Sequence, residues 1–84
     1  MIISFQEDAF DDFTNWSIVH KPTYRKIITL IKQIRRSPYE GSGKPEPLKY
    51  QFKGYWSRRI TKEHRLVYKV MDNELIVVSC KGHY

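Results

Sequence analysis

The apolar residues of this chain change period once, and that change decides what the chain can fold into. Tyr24, Ile27, Ile28, Ile31 and Ile34 recur at the ~3.6-residue spacing of one helix face. Leu66, Tyr68, Val70, Ile76, Val78 and Cys80 instead share one parity, the pattern of strands with a single buried face. A helical first half and a stranded second half predict an α+β fold. Two N-terminal helices pack on one face of a twisted antiparallel sheet, and the other face stays wet. The whole chain, residues 1–84, reads as a single domain.

Local signals fill in the elements. Residues 1–5 are rich in β-formers and predict an opening strand. Phe10, Phe13 and Trp16 mark the apolar face of a first helix that ends between Ser17 and His20. Pro22 suits the first turn of a second helix. Arg35 and Arg36 complement its C-terminal dipole, and Ser37-Pro38 stops it. Residues 37–47 hold two glycines and three prolines, so they form a loop. Strands follow over 48–52, 55–60, 64–70 and 75–84.

Register follows from the alternation. A three-residue loop at 72–74 pairs 66 with 80, 68 with 78 and 70 with 76, which aligns the apolar rows. Arg65 then lies beside Lys81, with His83 on the same face. A loop at 61–63 sets Arg59 opposite Arg65. Cations gathered on one solvated surface repel each other, so an anion is expected there.

Charge points the same way. Fifteen Lys and Arg against nine Asp and Glu leave a net charge of +6. Such a field favours polyanions, nucleic acid above all. The single cysteine, Cys80, builds neither a disulfide framework nor a zinc site, and its apolar neighbours predict a buried thiol. No leader-like segment opens the chain and no apolar run approaches ~18 residues, so the expected setting is the cytoplasm, with no membrane role.

Cleavage of RNA by its own 2′-hydroxyl needs a base, an acid and a cation for the phosphorane. Glu46, held between Pro45 and Pro47, is the candidate base. His83 is the candidate acid, because imidazole changes charge nearest neutral pH. Arg59 and Arg65 supply charge, and a guanidinium can hold two phosphate oxygens at once. This set needs no metal and no cofactor. Tyr55, Trp56 and Tyr84 could stack on unpaired bases. Plainer readings stay open at this point. Glu46 is also a solvated loop carboxylate, Trp56 a core residue, and Arg58 with Arg59 the charged guard of a strand edge. His20 and His64 read as structural or surface residues.

Two long motifs narrow this. Arg35-Arg36-Ser37-Pro38-Tyr39-Glu40-Gly41-Ser42-Gly43-Lys44-Pro45-Glu46-Pro47-Leu48-Lys49 closely resembles a signature segment of the YoeB (Txe) toxins. Residues 54–68 resemble that family's second signature, and the closing His83-Tyr84 matches as well. The likeness spans essentially the whole chain. It implies a RelE-like ribonuclease fold and a toxin of a type II toxin–antitoxin system that enters the ribosome and cuts messenger RNA in the A site. It implies Glu46 as general base, His83 as general acid and Arg65 as transition-state stabiliser. Lys49 and Arg59 would hold phosphates, and Tyr84 would orient the substrate. It also implies a homodimer and a YefM-type antitoxin. Departures are mild: Tyr50 stands where the pattern suggests histidine, and Lys81-Gly82 where it suggests Arg-Tyr. Two other classes of function remain to be separated from this one. One is a basic module that occupies RNA without cutting it. The other is a DNA-acting regulator, for which no helix-turn-helix spacing is present.

Overall fold

The computed structural model describes residues 1–83. β1 (Ile2–Phe5) leads into α1 (Glu7–Val19) and α2 (Lys21–Arg36). After a loop come β2 (Glu46–Pro47), a 3₁₀ turn (Tyr50–Phe52), β3 (Trp56–Arg59), β4 (Arg65–Met71) and β5 (Glu74–Ser79). The strands form one sheet in the order β1-β5-β4-β3-β2.

The helices form where the sequence says they should. Glu7 and Asp8 sit in the first turn of α1, where the dipole favours anions. One residue, His20, separates the two helices. Its Nδ1 accepts the Thr23 N–H at 3.3 Å and meets Thr23 Oγ1 at 2.7 Å, so it caps α2. Ile27, Leu30 and Ile34 of α2 are fully buried against Leu66, Tyr68, Leu75, Val77 and Cys80 of the sheet. Each such large aliphatic contributes about 1.5–3 kcal/mol of burial. On α1 the fully buried position is Ala9, whose carbonyl receives the Cys80 thiol at 3.4 Å. A small side chain there lets α1 lie close to β5. Phe10, expected on the inner face with Phe13 and Trp16, is 52% exposed and meets Phe5 edge-on.

The α+β architecture with two covering helices stands, and three details of the sheet differ from the sequence reading. First, the sheet is mixed, because β1 pairs in parallel with β5, from Ile2↔Glu74 to Phe5↔Val77. No hairpin joins these strands, so no turn forces them antiparallel. Second, the expected strand at 48–52 is β2 at Glu46–Pro47 followed by the 3₁₀ turn. Tyr50 has a φ of +58°, which breaks an extended chain. Leu48 still donates its N–H to Tyr55 O at 2.9 Å before the chain turns away.

The third difference is the register of β4 on β5. The turn is the two-residue Asp72-Asn73, with φ of +51° and +59°, so Met71 faces Glu74 and Tyr68 faces Val77. Both positive angles belong to the type I′ hairpin that matches strand twist. The core row of β5 therefore begins with Leu75 and Val77, not Ile76 and Val78. A bulge next to the Tyr68↔Val77 pair then resets the alternation, because Val67 faces Ser79. One extra residue on β5 flips the following side chains, and Cys80 returns to the core.

Candidate active site

The site is built on the sheet face turned away from the helices. Alternation along β3 sends Trp56 and Arg58 to the helix side, opposite Tyr68 and Leu66. Ser57 and Arg59 go to the other side, where Ser57 faces both Glu46 and Val67, and Arg59 faces Arg65. The pairing of Arg59 with Arg65 is the one expected from a loop at 61–63. Lys44, Glu46, Ser57, Arg59, Arg65 and His83 line one cleft of about 230 Å³. Residues far apart along the chain thus meet around one small, strongly basic hollow with a single carboxylate.

Each wall is fixed by a separate device. Arg65 Nη1 donates to the carbonyls of Thr61, Lys62 and His64 at 3.2, 3.4 and 3.3 Å, which pins the guanidinium along one edge. Arg59 donates its N–H to Gly43 O at 2.7 Å, so the loop lies directly on β3. A Cβ at Gly43 would stand 2.8 Å from Arg59 O, and only glycine permits this approach. Two residues on, the chain enters Pro45-Glu46-Pro47, and β2 sets Glu46 across from Ser57.

The C-terminal wall hangs on three contacts. Trp16 Nε1 donates to Cys80 O at 3.0 Å, Gly82 N–H donates to His64 Nδ1 at 2.8 Å, and Arg65 N–H donates to Gly82 O at 3.1 Å. The His64 ring also meets Trp16 edge-on at 4.8 Å. The Nδ1 of His64 therefore acts as an acceptor, which assigns the ring proton to Nε2. Gly82 takes a φ of +73° to bring His83 to the cleft. Tyr84, expected to orient the substrate, lies outside the described residues.

Arg58 was one of two arginines readable as the guard of a strand edge, and it is nothing of the kind. It is fully buried. Its Nε donates to Tyr68 Oη at 3.2 Å, Nη1 to Gln33 Oε1 and Ser42 O at 3.3 Å, and Nη2 to Ser37 O and Glu40 O at 2.8 and 2.7 Å. Tyr68 Oη in turn donates to Pro38 O at 2.6 Å. The loop after α2 is wound around this guanidinium, and the loop carries Lys44 and Glu46. Burial raises the Tyr68 phenol, with the Arg58 hydrogen bond opposing it. Nothing in the one-dimensional pattern marks Arg58 as buried, whereas the glycines around it do carry a signal. A Cβ at Gly41 would stand 2.9 Å from Arg58 Nη1.

The remaining candidates divide. Lys49 is exposed and lines a neighbouring cleft of about 330 Å³ that shares Glu46 with the first. Trp56 packs against the core and lies tilted against the Tyr39 ring, with centroids 4.7 Å apart, so the core reading holds for it. Tyr55 lies under Lys69 Nζ at 5.2 Å. Cys80 is buried, and desolvation first, then the Asp12 charge, pushes its thiol up to about 12. It is no nucleophile near neutral pH. Sequence reasoning passed over Lys44 and Ser57, both in the cleft. Among the described residues, no group of three or more His, Cys, Asp or Glu could hold a metal ion. No helix among them is long and apolar enough to cross a membrane.

With this geometry in place, residues 5–84 match the model of the YoeB-like toxin of bacterial type II toxin–antitoxin systems. The chain belongs to this family. It is 50% identical over 84 residues to toxin YoeB of Escherichia coli K12, covering all of both chains. A solved YoeB/ParE toxin from Agrobacterium tumefaciens superposes with a TM-score of 0.97 at 43% identity, again over the full length of both. YoeB of Staphylococcus aureus, solved in complex with YefM, gives 0.93 at 47% identity over 100% of this chain and 98% of that one. The same S. aureus protein has also been solved as a YoeB dimer. The α+β fold of the YoeB family, and its place in toxin–antitoxin systems, therefore apply to this chain.

Proposed function

We propose that this toxin is a metal-independent endoribonuclease that cuts messenger RNA in the ribosomal A site and so stops translation. One observation carries the reading: Glu46, Arg59, Arg65 and His83 line a single cleft. Glu46 takes the proton from the 2′-hydroxyl, and the freed oxygen attacks phosphorus. A new 2′-O–P bond forms, and the bond from phosphorus to the 5′ oxygen breaks. His83 gives its proton to that leaving oxygen. The products are a 2′,3′-cyclic phosphate and a 5′-hydroxyl. Arg65, joined by Arg59, meets the charge that builds on the phosphorane. Lys49 holds an adjoining phosphate, and Tyr84 completes substrate orientation.

The cleft's size supports dependence on the ribosome. About 230 Å³ is below the ~300 Å³ at which a pocket begins to enclose a drug-sized ligand. It has room for a phosphodiester and not for a stretch of nucleotides. In this reading the ribosome sets the register of the messenger, and the action is in the cytoplasm. By likeness to the S. aureus complex and dimer, a YefM-type antitoxin neutralises the chain, and two copies associate.

The deciding experiment maps 5′ ends of transcripts after induction without antitoxin, together with cleavage on purified ribosomes carrying a defined A-site codon. The expected result is cutting within that codon, abolished by Glu46→Ala and His83→Ala with the fold intact. Growth arrest with uncut transcripts would instead make the chain an RNA-occupying module.

A further inference from the structure

Among the described residues, Tyr50 is the most exposed large hydrophobic side chain, at 87%. Its ring makes no hydrogen bond or ring contact among the described residues. Its backbone φ of +58° is left-handed, a region that glycine, asparagine and aspartate enter readily and a bulky side chain does not. The turn itself needs such a residue: Phe52 N–H donates to Lys49 O at 3.1 Å and Lys53 N–H to Tyr50 O at 3.0 Å. The turn does not need tyrosine. Glycine would satisfy it with less strain, and at this exposure the ring returns little packing among the described residues. An outlier of this kind directs attention to what lies outside the chain.

Its surroundings identify the ligand. Tyr50 lines the 330 Å³ cleft with Lys49 and Gln51, and that cleft shares Glu46 with the basic cleft holding Arg65 and His83. An aromatic plane beside a lysine, in a cleft that shares the Glu46 wall with a phosphodiester-sized one, suits an unpaired nucleobase with its phosphate. An exposed tyrosine can also anchor a protein partner. The Lys49 cation in the same cleft, and the adjoining basic cleft with Arg59 and Arg65, favour RNA. We propose that Tyr50 is a stacking platform for the unpaired nucleobase beside the scissile phosphate. The proposal rests on the nuclease reading for which phosphate is scissile, and not for the stacking itself.

The test uses Tyr50→Gly, Tyr50→Phe and Tyr50→Trp on the full chain. Tyr50→Gly should keep or raise the thermal midpoint, because it relieves the left-handed strain, yet lower cleavage on ribosomes by about tenfold or more, the scale of losing one base–aromatic stack. Phe and Trp should retain near-wild-type cleavage. In parallel, a message carrying 2-aminopurine next to the cut is bound to ribosomes with the Glu46→Ala background to prevent cutting. Quenching that requires an aromatic at 50 places a messenger base on the ring. Unchanged 2-aminopurine emission with weaker ribosome binding by Tyr50→Gly places a ribosomal RNA base there. Tyr50→Gly with wild-type cleavage and wild-type ribosome affinity overturns the proposal, as does a loss confined to antitoxin binding. A wild-type protein that cuts nothing would sink the nuclease reading alone, since quenching and affinity report on stacking directly.

Discussion

Arg59 stands directly opposite Arg65 across β3 and β4, and both line the cleft that holds Glu46 and His83. Like charges facing across a ladder oppose folding. A pair kept in that position is arranged for an anion and not for stability.

Replacing Arg59 by glutamine should therefore separate stability from function. The fold should gain about 0.5 kcal/mol, a rise of a few degrees in thermal midpoint. Cleavage on ribosomes should fall by about 10²-fold, the scale of one lost transition-state donor. Calorimetry and single-turnover cleavage on the same preparation measure both. A large drop in midpoint would mean that the two guanidiniums are not opposed in solution.

Arg58 should behave in the opposite way. Arg58→Met removes the donors that three loop carbonyls, Gln33 and Tyr68 rely on. Leaving buried acceptors without partners should cost about 3–5 kcal/mol, readable in urea unfolding. Arg58→Lys should rescue little of it, because a point charge cannot reach a fork of acceptors. Full stability in either variant would show that the loop does not depend on this guanidinium.

Gly82 gives a third handle. Nothing lies within 4 Å of a Cβ built on it, so Gly82→Ala changes only the ease of reaching a φ of +73°. The penalty is about 1 kcal/mol, and it falls on the residue that delivers His83. Cleavage should drop several-fold while the thermal midpoint falls by only a few degrees, and Gly82→Asn should recover much of both losses because asparagine tolerates this region. Equal activity in all three proteins would show that the segment reaches the cleft by another conformation.

Cys80 makes stability depend on alkaline pH. Its folded thiol is raised to about 12 from an ordinary 9.0. The folded state therefore holds its proton more tightly than the unfolded state. That contribution is complete below pH 9 and is lost as pH rises toward 12. Urea midpoints across this window should fall, and Cys80→Ala should flatten the fall while lowering stability at neutral pH through the lost packing. The thiol should resist alkylation at pH 8 until the protein unfolds.

Much of this was legible from the letters, for identifiable reasons. The period of Ile27, Ile31 and Ile34 needs only a helix and a surface to bury, and both exist. Glu46 between two prolines, and Arg59 opposite Arg65, follow from local constraint and from loop length. Beyond the bulge Val67 faces Ser79, as the expected pairing of 66 with 80 requires; between turn and bulge the register differs because both parities of β5 are apolar, and Leu75 and Val77 serve the core as well as Ile76 and Val78 would. Turn chemistry at Asp72-Asn73 settled the choice, and a bulge absorbed the mismatch. The burial of Arg58 leaves no mark in the letters because three of its five acceptors are main-chain carbonyls, which every sequence has. Its burial depends on where the loop after α2 folds back, and no neighbouring letter records that.

The parallel pairing of β1 with β5 has a consequence for biosynthesis. Ser4 Oγ donates to Glu74 at 2.7 Å across seventy residues of chain. Because β5 is the sheet neighbour of β1, β1 must wait, unzipped, until β5 has been translated. Until β5 emerges, the nascent chain thus lacks the closed sheet that organises its cleft.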